Sequence, residues 1–140
     1  MLWYYQVYNG SSYVNMTWQT GFGGAWQGSE QYSLIRGGWF HPGNSVDAVL
    51  KWVAPSNGTW QITGTVNDAD GNCGDGVAVK ILHGNTSIWS QTIANGAAAQ
   101  SHDLTRAIST GEAIYFVVNK RADNGCDSTG WNPTISYIGP

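Results

Sequence analysis

Charge is what this sequence has least of. Only 11% of its 140 residues are Asp, Glu, Lys or Arg, where an average soluble domain has roughly a quarter. Its six basic residues are scattered from Arg36 to Arg121 and the net charge is −3. That leaves no basic face to neutralise a run of phosphates, so nucleic acid is excluded as a partner. Long apolar runs are also missing: nothing approaches the roughly eighteen residues of a membrane helix, and no membrane partner is expected. The N-terminal MLWYYQVYNG has neither a basic region nor a cleavable apolar stretch and does not read as a signal peptide. The chain is therefore either cytosolic or a module cut from a longer secreted protein with Met1 added. The cysteine pair and the wealth of tryptophan favour the second, so a secreted, extracellular location is expected. Glutamate is scarce too, with Glu30 and Glu112 alone.

What is abundant is glycine, at 19 residues, and tryptophan, at eight. Residues 46 to 82 show how they are used. VDAVLKWVAP, SNGTWQITGTV and VAVKIL alternate apolar and polar with period two between Pro, Gly, Asn and Asp, the pattern of half-buried strands. Ala48, Leu50, Trp52 and Ala54 share one face of the first run; Trp60, Ile62, Gly64 and Val66 do so on the second, and Val77, Val79 and Ile81 on the third. Ahead of them, WYYQVY and SYVNMTW form a hairpin about Asn9-Gly10, followed by a Gly-rich loop, a short strand at 32–36 and an exposed loop, GGWFHPGNS. Behind them come strands at 87–93, 101–108 and 134–138, with AIYFVVN (113–119) as the best central strand. No amphipathic helix is visible. Nine or ten short strands in one domain, residues 1–140, predict an all-β antiparallel β-sandwich, jelly-roll-like.

Catalysis is poorly supported. The carboxylates sit mostly in turn contexts rather than as a facing pair. His41, His83 and His102 lack metal-ligand spacing or a nucleophile partner and read as surface or turn histidines.

The acidic loops carry more. Asp68, Asp70 and Asp75 surround Cys73 in NDADGNCGDG, and Asp127 follows Cys126 in NGCDST. Thiols joined across some fifty residues would bring both loops to one end of the fold; two unpaired buried thiols are the alternative. Asp68-x-Asp70-Gly71 has the start of a calcium loop but not its closing glutamate. Two readings stand side by side: a structural calcium held by Asp68, Asp70, Asp75 and Asp127, or aspartates that cap turns with no metal. No cofactor is otherwise required.

The aromatics are the main signal. Trp52, Trp60 and Trp89 sit in strands with good alternation and Trp131 begins the final strand after a turn, so all four are assigned to core or sheet support. Trp26 and Trp39 lie in Gly-rich loops beside Phe22 and Phe40, and Trp3 and Trp18 at the outer ends of the first hairpin. Rings that loops cannot bury mark binding sites. An indole stacks on the C–H face of a pyranose, and Gln27, Gln31, Asn15, Gln19 and Arg36 are spaced among these rings to take its hydroxyls. Trp18, Trp26, Trp39, Arg36, Phe22 and Gln27 are the expected ligand-binding set.

HPGNSVDAVLKWVAPSNGTWQITGTV, GDGVAVKIL and IYFVVNKRADNGCDSTGWNPTISY together resemble a β-sandwich accessory domain of secreted bacterial polysaccharide-degrading enzymes. They are similar to carbohydrate-binding modules attached to glycoside hydrolases and lyases, including those of xanthan-degrading endoglucanases. The likeness is good over residues 39 to 138 and looser before. It implies framework roles for Trp52, Gly64, Asp75, Gly76, Asp127 and Trp131. Cys73 and Cys126 depart from the pattern and suggest an added disulfide; Trp60 stands where a smaller apolar residue is usual. The resemblance implies a monomeric, non-catalytic module whose partners are a polysaccharide and an appended catalytic domain. The alternative is a β-sandwich whose exposed rings pack on that neighbouring domain.

Overall fold

The computed structural model describes residues 2–140, except for the side chain of Phe22. It is an all-β sandwich of two antiparallel sheets. The six-stranded sheet runs in the order β10 (Thr86–Ile93), β9 (Val77–His83), β12 (Ala113–Asn119), β7 (Asp47–Val53), β1 (Trp3–Tyr8), β2 (Tyr13–Asn15). Its eight-stranded partner runs β11 (Gln100–Ile108), β8 (Gly58–Asp68), β13 (Thr129–Trp131), β6 (Trp39–His41), β5 (Leu34–Arg36), β4 (Ala25–Gln27), β3 (Thr17–Gln19), with β14 (Thr134–Gly139) also on β8.

The period-two alternation places the core as expected. Ala48, Trp52 and Ala54, then Trp60, Ile62 and Val66, then Val77, Val79 and Ile81 all point inward and are buried. AIYFVVN is indeed central, flanked by β7 and β9. Its Ile114, Phe116 and Val118 fill the interior, while Tyr115 on the opposite face is stacked by Tyr13 at 4.4 Å. Trp60 is buried against Trp52 and Tyr137, with ring centroids 4.8 and 5.2 Å away.

Three expectations are corrected. The strand after Asn9-Gly10 is not continuous: at Met16 the chain leaves one sheet for the other. Burial of the Met16 side chain and a 2.7 Å bond from its N–H to the Tyr5 carbonyl fix that corner. The two stretches read as loops contain β4 and β6, because Trp26 and Phe40 find cross-strand partners in Ile35; Phe40 is buried. His102 is a core residue, 5% exposed. It faces Gly64 in the register of β11 on β8, and a Cβ on Gly64 would lie 2.8 Å from its Nε2, so the glycine makes room for the imidazole. The Trp131 indole N–H donates to His102 Nε2 at 3.0 Å. Nδ1, 3.2 Å from the Ile62 carbonyl, is therefore the protonated nitrogen.

Candidate carbohydrate-binding cleft

β3 to β6 form a meander at the edge of the larger sheet, and its side chains meet β1 of the other sheet. Trp18 and Trp26 are directly opposed on β3 and β4, their rings edge to face at 5.6 Å. Trp26 also lies flat on Tyr5 of β1, 4.8 Å between centroids and 6° between planes. At the tight turn of β5 and β6, Arg36 pairs with Trp39 and its guanidinium carbon sits 5.7 Å from the Trp39 ring centre. Tyr5, Trp18, Gly24, Trp26, Arg36, Gly37 and Trp39 line one cleft of about 380 Å³.

Glycine gives this cleft its walls. Gly23 and Gly24 have φ of +75° and +92°, the left-handed region that side chains avoid. A Cβ on Gly24 would lie 3.1 Å from two carbons of the Trp18 ring, and one on Gly23 would lie 3.2 Å from an Arg36 nitrogen. The bare backbone of GFGG is thus a surface against which an indole and a guanidinium rest. Trp18 keeps 52% of its surface open. Arg36 is the charged residue of the lining. An aromatic floor with a cation at its side can hold a flat apolar face and a polar or anionic substituent at once.

Four of the six residues expected to bind ligand, Trp18, Trp26, Trp39 and Arg36, come together here. Gln27 does not: strand alternation turns it away from Trp26 into a neighbouring hollow, where its amide donates to the Gln31 carbonyl at 2.9 Å. The Phe22 side chain lies outside the described residues. Trp3, at the outer end of β1, is partly buried against the core rather than open to a ligand, stacked 6.3 Å from Phe116. Tyr5 is the residue sequence reading missed. Its signal was the alternation of WYYQVY, which turns Tyr5 inward with Trp3 and Val7. A larger concavity, about 610 Å³, lies against the other sheet among Asp47, Lys80, Gln91 and Asn119, but no aromatic ring among the described residues lines it.

The second region of interest is where the β8–β9 and β12–β13 loops meet. Cys73 and Cys126 form a disulfide across them, with Cα atoms 5.4 Å apart and 53 residues between them in sequence. The four aspartates expected to share a metal have different fates. Asp68 accepts from the Asp70 and Gly96 amides, at 3.1 and 2.8 Å. Asp70 caps its own turn through Asn72. One Asp75 oxygen takes the Ala122 amide at 2.9 Å, and this bond, with Arg121 beside it, holds its carboxyl below the usual range. Asp127 is 1% exposed, and no hydrogen bond among the described residues reaches either of its oxygens. Burial, then the charges of Asp75, Asp123 and Asp68, push its carboxyl up to about 7. No three His, Cys, Asp or Glu side chains among the described residues cluster as a ready-made metal cage.

Comparison with known protein families finds no match, and comparison with characterised proteins finds no relative. Solved structures are similar at low identity. One is the C-terminal CBM6 of LamC, a marine laminarinase from Zobellia galactanivorans, at 13% identity and TM-score 0.41, over 94% of this chain and 98% of that one. Another is the carbohydrate-binding module CBM6cm-2 from Cellvibrio mixtus lichenase 5A in complex with cellotriose, at 15% identity and TM-score 0.35, over 89% and 86%. The PRD1 vertex protein is similar at 14% identity and TM-score 0.44, over 99% and 97%.

Proposed function

We propose that this chain is a non-catalytic carbohydrate-binding module whose ligand lies in the cleft between β1 and the β3–β6 meander. The observation that carries this reading is the convergence of Tyr5, Trp18, Trp26, Trp39 and Arg36 on one open cleft of about 380 Å³. Each exposed ring offers a pyranose face roughly 1 kcal/mol through apolar contact. Sugars present little apolar area, so an affinity in the micromolar range or weaker follows. Arg36 takes a hydroxyl or a carboxylate, which makes an acidic polysaccharide such as xanthan the first ligand to try. Lys120 and Arg121 give no help there, since both are engaged in the β12–β13 loop with Asn44, Ala122 and Asp75. The module would act by holding an appended glycoside hydrolase or lyase against its extracellular substrate, as a monomer.

Affinity electrophoresis of the 140 residues through xanthan and a panel of neutral glucans and xylans tests this. Retardation in at least one gel is expected, and its loss in Trp26→Ala and Trp39→Ala. A wild-type chain that migrates unretarded through every polysaccharide overturns the reading and leaves the rings as a packing face for a neighbouring domain. Release of reducing ends would overturn the non-catalytic part.

A further inference from the structure

We infer that the polysaccharide does not end in the cleft: it continues over the open edge of β1 into a second hollow walled by Tyr4, Asn15 and Met16. The module therefore grips an internal stretch of its ligand rather than a chain end. This rests on the cleft being the glycan site and adds a subsite to it.

The register shows why the edge is open. β2 pairs with Gln6, Val7 and Tyr8 of β1, and at Met16 the chain crosses to the other sheet. Among the described residues no strand covers this side of β1 over residues 3–5. Alternation sends Tyr4 and Tyr5 to opposite faces of the sheet, yet at an uncovered edge both rings border the same space. That hollow, about 190 Å³, is lined by Tyr4, Tyr5, Asn15, Met16 and Trp26. Tyr5 and Trp26 also line the cleft. The two hollows meet at this stacked pair, and a ligand that passes it remains on aromatic surface.

The side chains of the second hollow are held ready. Tyr4 is partly buried and the Lys51 ammonium lies 5.4 Å from its ring centre, a cation–π contact that fixes the ring. A cation thus stands by each hollow, Arg36 in the cleft and Lys51 behind Tyr4. Asn15 is exposed. Its Oδ1 accepts from the Gln6 amide at 2.8 Å, and among the described residues nothing accepts from its Nδ2, so that group can donate to sugar hydroxyls. Gln6 itself is 7% exposed and its Oε1 has no partner. A buried amide left half-satisfied while it pins a surface side chain is an arrangement that packing alone does not explain.

The test is affinity electrophoresis of the full chain in xanthan, glucan and xylan gels, followed by competition with oligosaccharides of graded length cut from the polysaccharide that retards it. Long oligosaccharides should compete better than short ones. Asn15→Ala and Tyr4→Ala should each keep retardation but weaken it, by roughly two- to tenfold in Kd for one lost hydrogen bond or ring contact, and should lose most of the gain with length. Trp39→Ala, in the cleft, should lose retardation altogether. If Tyr4→Ala does not fold, the exposed Asn15→Ala decides. Retardation of the wild type with Asn15→Ala unchanged at every length overturns this inference and leaves the cleft reading standing, as does equal competition by short and long oligosaccharides. A wild-type chain unretarded in every gel overturns both.

Discussion

Trp131 and Trp18 show two ways in which one sandwich uses the same side chain. Trp131 is enclosed by Phe40, Trp89, His102 and Phe116, with centroids 5.4 to 6.0 Å away, and its indole N–H is satisfied inside the core by His102. Among the described residues Trp18 meets one ring, Trp26, and it rests its far edge on the bare backbone of Gly24. What separates them is the neighbouring glycine. Gly64, opposite His102, lets a polar ring into the core beside Trp131, whereas Gly24 denies Trp18 a covering side chain and leaves it lying on backbone, open to solvent.

The largest expected effect breaks this comparison at the core. Trp131→Ala should cost about 3–5 kcal/mol of stability, the range for deleting a fully buried large aromatic, read by chemical denaturation. Trp18→Ala should stay within about 0.5 kcal/mol of wild-type stability, as for surface substitutions, while weakening glycan affinity by roughly 1 kcal/mol, about fivefold in Kd. Equal stability losses at the two positions would mean that the cleft rings support the fold.

The disulfide sharpens the contrast between loop junction and cleft. Replacing both Cys73 and Cys126 by Ser reopens a 53-residue span in the unfolded chain and should cost about 2–4 kcal/mol. Glycan retardation of the folded variant should match wild type, since no cleft residue lies in those loops. Loss of retardation at a temperature where the variant is folded would show the two regions to be coupled.

How legible this was in the sequence depends on the length of the strand. Ala48 to Ala54, Trp60 to Val66 and Ala113 to Asn119 have enough residues for alternation to fix which face is buried, and the sheets follow. The three-residue strands β3, β4 and β6 are too short to show a period. β4 and β6 pair with the equally short β5 through Ile35, too few residues for a local pattern, so they read as loop, while β3 reads as the end of the hairpin strand SYVNMTW. The cleft tryptophans and Arg36 could still be named, because bulky rings among glycines are conspicuous in composition alone. Gln27 could not be separated from Trp26 without knowing that the pair lies on a strand, which sends adjacent side chains to opposite faces. Tyr5 was hidden for the opposite reason: its strand was clear, but nothing local says that the inner face of β1 continues into a cleft made by another sheet. His102 was misread because its reason for being inside, Gly64, lies 38 residues away and meets it only through the register of β11 on β8.

That histidine yields the smallest and most specific effect. Burial among Trp89, Phe116 and Trp131 holds the imidazole below its usual pKa of about 6.5, with the Ile62 carbonyl and Asp103 opposing the shift more weakly. The sign follows from proton counting. Between the lowered folded value and about 6.5 the unfolded chain binds a proton that the folded chain does not, so stability rises with pH across that window. Its contribution is complete above about 6.5 and is lost as pH falls toward the folded value, below which both states are protonated and the slope vanishes. Protonation would also remove the acceptor for the Trp131 N–H, since Nε2 would become a donor. His102→Gln keeps an acceptor and a donor but cannot titrate. Melting temperatures measured from about pH 7.5 to 5.5 should fall more steeply for wild type than for this variant, and the difference between the two curves isolates His102 from every other group. Parallel curves would place the charged imidazole at no disadvantage in the core, and with it the tight enclosure that distinguishes Trp131 from Trp18.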